Sequence, residues 1–149
     1  MKITKYYNIS TTFLEIAKVK HIHLALDVNF DKEILEGSVT LTVEKVDPNA
    51  THVLLDTNYL DIESILDESN NETLDFTLYP KDYVGSKLEV NLPDSKENEV
   101  KIKIDYKTSE NCTALQWLTP EQTADKTHPY VFSQCQAIHC RSKIHLQLK

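Results

Sequence analysis

A chain of 149 residues, 40% hydrophobic and 26% charged, is about one domain long and globular in composition. The chain is therefore expected to fold, and its length leaves no room for a large enzyme with a separate catalytic module. Sixteen Lys and Arg stand against twenty-three Asp and Glu, a net charge of -7, and no segment supplies a basic face to neutralise phosphates, so nucleic acid is not expected as a partner.

The first twenty residues carry early lysines, but Glu15 and Lys18 interrupt the apolar stretch, so a signal peptide is not expected. No run reaches membrane-spanning length, and no membrane partner is expected. The three cysteines, Cys112, Cys135 and Cys140, are odd in number, which with no export signal predicts reduced thiols and a cytoplasmic location. The sequons at Asn8, Asn49, Asn71 and Asn111 are then expected to stay unmodified.

A turn or two of helix is the reading for Thr11 to Lys18. From His21 to Phe30 the pattern alternates, placing Ile22, Leu24, Leu26, Val28 and Phe30 on one face of a half-buried strand. A polar turn at Asp31 and Lys32 leads to a second strand with Val39, Leu41 and Val43 inward and Ser38, Thr40, Thr42 and Glu44 outward, forming a hairpin. Five more strands are predicted at Val53 to Leu55, Leu60 to Ile65, Leu74 to Leu78, Leu88 to Leu92 and Val100 to Tyr106. Asp, Asn and Pro turns separate them, because only Gly37 and Gly85 are available for special conformations. Seven short strands at this spacing predict an all-β, antiparallel fold of curved sheets or a β-sandwich. Trp117, between Leu115 and Leu118, reads as a core anchor, and Thr119-Pro-Glu as a strand exit.

The chemistry-bearing residues resist assembly into a reaction centre. A zinc peptidase needs two imidazoles on adjacent helical turns with a carboxylate between them, and His-Glu-x-x-His is absent. His21 and His23 share the outward face of the first strand without further ligands in the pattern, so the solvated face is the default. On an extended strand Cys135 and His139 share a face while Cys140 takes the other, so the three cannot converge without a bulge. No metal site and no catalytic residue is assigned. The same parity sets Gln134 beside Gln136, flanked by Ser133 and Ala137. Two neutral amides suit gripping a peptide backbone, although physics alone favours an ordinary sheet face turned to water.

Leu115-Gln-Trp-Leu-Thr-Pro-Glu-Gln-Thr123, His128-Pro-Tyr and Phe132-Ser-Gln-Cys-Gln-Ala-Ile-His-Cys-Arg141 together resemble the N-terminal domain of the leukotriene A4 hydrolase family of zinc aminopeptidases and epoxide hydrolases. The resemblance runs from about Val19 to Arg141, through Leu24-Ala-Leu-Asp-Val-Asn-Phe-Asp31 and Asp56-Thr57. It implies a saddle-like β domain whose last strands line a substrate cleft, with Gln134, Gln136 and Ala137 contacting a peptide or lipid-epoxide substrate. It also implies that zinc, its ligands and the general base belong to a following domain, so this chain alone is expected to hold no cofactor and to be inactive. On this reading residues 1–18 are an extension, 19–141 the aminopeptidase-type β domain and 142–149 a divergent tail. The tail replaces the family's Pro-Cys-x-Asp-x-Pro continuation, so the domain is expected to be incomplete at that end and to self-associate through an uncovered sheet edge. The alternative is a free-standing β-sandwich interaction module or a short non-catalytic isoform.

Overall fold

The computed structural model describes residues 16–81, 85–134 and the backbone of 147–148. Among them the chain forms strands and one short 3-10 turn. They are β1 (Ala17–Asn29), β2 (Ile34–Lys45), β3 (His52–Thr57), β4 (Leu60–Asp67), β5 (Phe76–Leu78), β6 (Ser86–Asn91), β7 (Glu99–Thr108), β8 (Leu115–Leu118), β9 (Tyr130–Ser133) and β10 (Gln147–Leu148), with the turn at Pro120–Gln122.

Two four-stranded antiparallel sheets, ordered β1-β2-β7-β4 and β10-β3-β6-β5, face one another. Alternation decides what lies between them. Val39 pairs with Ile104, Leu41 with Ile102 and Val43 with Val100, and the second sheet answers with the pairs Val53–Val90 and Leu55–Leu88. Val39, Leu41, Val43, Ile102, Ile104, Leu55, Leu88 and Val90 are wholly buried, and Tyr106 joins them. Antiparallel layers with a shared apolar interior and polar outer faces are the sandwich that the alternation predicts. The outer face of the first sheet carries Lys–carboxylate pairs, among them Lys18–Glu44 at 2.7 Å and Lys107–Glu63 at 3.2 Å. Exposed pairs of this kind contribute little stability and mark a solvated surface.

The expected hairpin is present in register, with Ile22 opposite Leu41 and Leu24 opposite Val39. Its first strand differs from expectation in burial. Ile22, Leu24, Val28 and Phe30 point to the core side yet are 38–46% exposed. The cause is position: β1 is the edge strand of its sheet, paired on one side only among the described residues. The helical reading for Thr11 to Lys18 is corrected at its end, where Ala17 and Lys18 are strand residues paired with Lys45 and Glu44. Ala17 is 2% exposed and belongs to the core, and that burial favours the extended ladder over a helical turn. The remainder of that stretch lies outside the described residues.

Candidate functional site

Gln134 sits at the end of a third, two-stranded sheet. β8 and β9 pair antiparallel, Leu115 with Ser133, Gln116 with Phe132, Trp117 with Val131 and Leu118 with Tyr130. One face of this ribbon, bearing Leu115, Trp117 and Val131, packs on a second apolar cluster with Cys112, Ala114, Leu35 and Tyr59. Trp117 is partly buried rather than a central core residue, and it meets Phe30 edge-to-face with ring centroids 5.6 Å apart. That contact fastens the ribbon to the β1–β2 hairpin.

The opposite face of the ribbon is polar and aromatic. Gln116 and Phe132 are cross-strand partners on it, and Tyr130 and Gln134 follow by alternation. The Gln116 Nε2 amide donates to Gln134 Oε1 at 3.2 Å, and Gln134 N–H donates to the Ala114 carbonyl at 2.9 Å. Tyr130 and Phe132 stack beside them with centroids 6.4 Å apart. Gln116, Gln134 and Tyr130 are exposed. Gln134 is therefore bonded through both its backbone N–H and its side-chain oxygen on an exposed face. Gln136, Ala137, Cys135, His139 and Cys140 lie outside the described residues.

The loop joining the two strands is built from the Pro-Glu-Gln-Thr segment. Gln122 Oε1 accepts from Thr119 N–H at 2.9 Å, and the Thr123 hydroxyl donates to the Pro120 carbonyl at 2.7 Å. Reciprocal capping of this kind closes a short 3-10 turn without an apolar core of its own. The Asp125 carboxylate then gathers the loop: the His128 ring lies 2.7 Å away, and the Thr123 hydroxyl and Thr127 N–H donate to it at 2.9 and 3.1 Å. Foremost the His128 contact, then these backbone and hydroxyl donors, hold the Asp125 carboxyl well below the usual carboxylate range. The Thr119 hydroxyl lowers Glu121 in the same direction.

Sequence reasoning singled out Gln134 and not Gln116, Tyr130 and Phe132, which the structure sets beside it. The signal was available: in Leu-Gln-Trp-Leu the single amide alternates with the residues that pack inward. His21 and His23 are exposed on β1 opposite Thr42 and Thr40. Among the described residues no group of three His, Cys, Asp or Glu side chains could hold a metal ion. The described residues thus do not assemble a zinc site. Two hollows of about 370 and 560 Å³ lie elsewhere, the first lined by Lys32, Asp61 and Lys107 and the second by Asp67, Pro93 and Lys101. Neither touches the ribbon.

Residues 4–145 match the model of the Peptidase M1 N-terminal domain. Leucine aminopeptidase 2 of Yarrowia lipolytica is 47% identical over 122 residues, which cover 80% of this chain and 18% of that protein. Leukotriene A-4 hydrolase of Xenopus laevis is 42% identical over 132 residues, covering 87% of this chain and 21% of that one. Among solved structures, the yeast leukotriene A4 hydrolase in complex with bestatin superposes with a TM-score of 0.80 at 32% identity, across 91% of this chain and 21% of that one. The chain spans about a fifth of the length of these relatives. With a match over nearly its whole length and a shared β architecture, the chain belongs to the Peptidase M1 N-terminal domain family.

Proposed function

We propose that the Gln116–Gln134 face of the ribbon forms one wall of the substrate cleft of a leukotriene A4 hydrolase-like aminopeptidase. The observation that carries this reading is the amide pair itself, held at 3.2 Å on an exposed face beside two stacked aromatic rings. An amide has no accessible proton-transfer pKa, so Gln134 acts as neither acid, base nor nucleophile. It orients a substrate by hydrogen bonds, the role that the family resemblance also gives to Gln136 and Ala137, which lie outside the described residues. Tyr130 and Phe132 supply the flat apolar area that small-molecule and peptide sites combine with a few placed polar groups. Hydrolysis of a peptide N-terminal residue, or opening of a lipid epoxide, requires zinc and a general base from outside this chain. A cytoplasmic setting and reduced thiols complete the reading. The exposed stripe of Ile22, Leu24, Val28 and Phe30 supports further polypeptide beside β1, since relatives of the family are about five times longer.

The test exchanges domains. Residues 4–145 replace the matched part of the Yarrowia leucine aminopeptidase 2, and the chimera is compared with the same chimera carrying Gln134→Leu. Losing one or two polar contacts to the peptide costs about 1–3 kcal/mol of transition-state stabilisation, a fall of roughly 5- to 150-fold in kcat/KM, with bound zinc unchanged. Equal kinetics in the two chimeras would return Gln134 to a solvated sheet face, and lost zinc would assign the strand a structural role at the metal.

A further inference from the structure

The amides of Gln116 and Gln134 meet across a diagonal of the ribbon. Gln116 stands directly opposite Phe132, and Gln134 follows Phe132 by two residues on the same face. Diagonal neighbours in an antiparallel pair lie about 7–8 Å apart, a gap that long side chains span. Gln116 spans it, its Nε2 donating to Gln134 Oε1 at 3.2 Å. The main chain beneath is held separately. Leu115 and Trp117, on either side of Gln116, pack into the apolar cluster on the opposite face, and Gln134 N–H donates to the Ala114 carbonyl at 2.9 Å.

What this bond decides is which side of the Gln134 amide a ligand meets. A primary amide accepts through its oxygen and donates two protons from its nitrogen. Its terminal torsion is broad and roughly two-fold, so an unbonded glutamine turns either side outward at little cost. Gln134 is bonded. Turning it alone would set its NH2 against the NH2 of Gln116, exchanging a hydrogen bond for two opposed donors. With its oxygen engaged, the exposed Gln134 amide offers N–H donors, beside the Tyr130 and Phe132 rings stacked at 6.4 Å. Donors select lone pairs, so the group that fits is an oxygen acceptor rather than an N–H or an ammonium.

We propose that Gln116 is a positioning residue: by engaging Gln134 Oε1 it holds the Gln134 NH2 toward the ligand, and the ligand atom received there is a peptide carbonyl oxygen. Gln116 acts through Gln134. This inference rests on the cleft reading and deepens it, naming the ligand group that the face receives.

The test adds trialanine amide to the nitrogen-15-labelled full chain, as wild type, Gln116→Leu and Gln116→Glu. Each is measured at about pH 6.5 and about pH 3.5, between which the peptide has no titrating group. In the wild type the Gln134 Nε2 protons should move with peptide at both values. Gln116→Leu leaves the amide to turn either way, and the apparent dissociation constant should rise about 2- to 10-fold. In Gln116→Glu at the higher pH the introduced carboxylate accepts from Gln134 Nε2 and turns its oxygen outward, so binding should weaken further. Below the ordinary glutamate value of about 4.3 the introduced acid is protonated and donates to Gln134 Oε1 again, so affinity should return to within about 2-fold of the wild type at the same pH. Variants that bind as tightly as the wild type at both values would overturn the positioning role and leave the cleft reading standing. Equal weakening of Gln116→Glu at both values would make Gln116 structural and overturn the proposal too. Ribbon signals unmoved by peptide in the wild type would overturn both readings.

Discussion

Asp125 shows how much of this site rests on single side chains. Its carboxylate holds the ends of the 119–129 loop through the His128 ring, the Thr123 hydroxyl and two backbone N–H groups. Those donors depress its pKa. A carboxyl depressed in the folded state contributes order that is fully present above its unfolded value, about 3.9, and is lost as pH falls through the lower folded value. Between about pH 5 and pH 4 the Thr127 amide resonance should therefore stay put and move only in stronger acid, and Asp125→Asn should shift it at neutral pH. A midpoint at the ordinary aspartate value would contradict this. At the same scale Gln134 was legible as one of an alternating amide pair, but its bond to Gln116 was not. Eighteen residues separate the two, and only the antiparallel register of β8 and β9 brings them together.

At the scale of elements, the hairpin depends on one glycine. Gly37 adopts φ +149°, and a Cβ there would stand 2.2 Å from the Ala25 carbonyl oxygen on the neighbouring strand. Gly37→Ala combines backbone strain with displacement of β1, and chemical denaturation should show a loss of roughly 2–4 kcal/mol. A loss below about 0.5 kcal/mol would mean that the two strands separate freely at that point. The ribbon depends on Trp117 in the same way. Because that ring is only partly buried, Trp117→Ala should cost roughly 2–3 kcal/mol, below the 3–5 of a fully buried aromatic, and should broaden the Tyr130 and Phe132 ring signals first. Unchanged ring signals would show that the ribbon is held without the Phe30 contact. Strand positions were readable because inward Val39, Leu41 and Val43 alternate with polar neighbours. The exposure of Leu24 and Val28 was not, since the sequence of an edge strand carries the same period as that of a covered one.

For the whole molecule, two sheets form the packed body and the β8–β9 ribbon carries the exposed amide face on which the proposed cleft reading rests. That reading predicts binding through the ribbon, with bond cleavage left to groups outside it. The measurement that tests it most directly follows one sample of nitrogen-15-labelled chain as a tripeptide is added in the presence of zinc, recording the Gln side-chain amides and the peptide's own signals together. The account predicts that the Gln134 and Gln116 amides and the Tyr130 ring shift as the peptide is raised into the millimolar range, while the peptide remains intact. Amides that do not move, or a peptide cleaved at its N-terminal residue in a reaction stopped by a chelator, would contradict it.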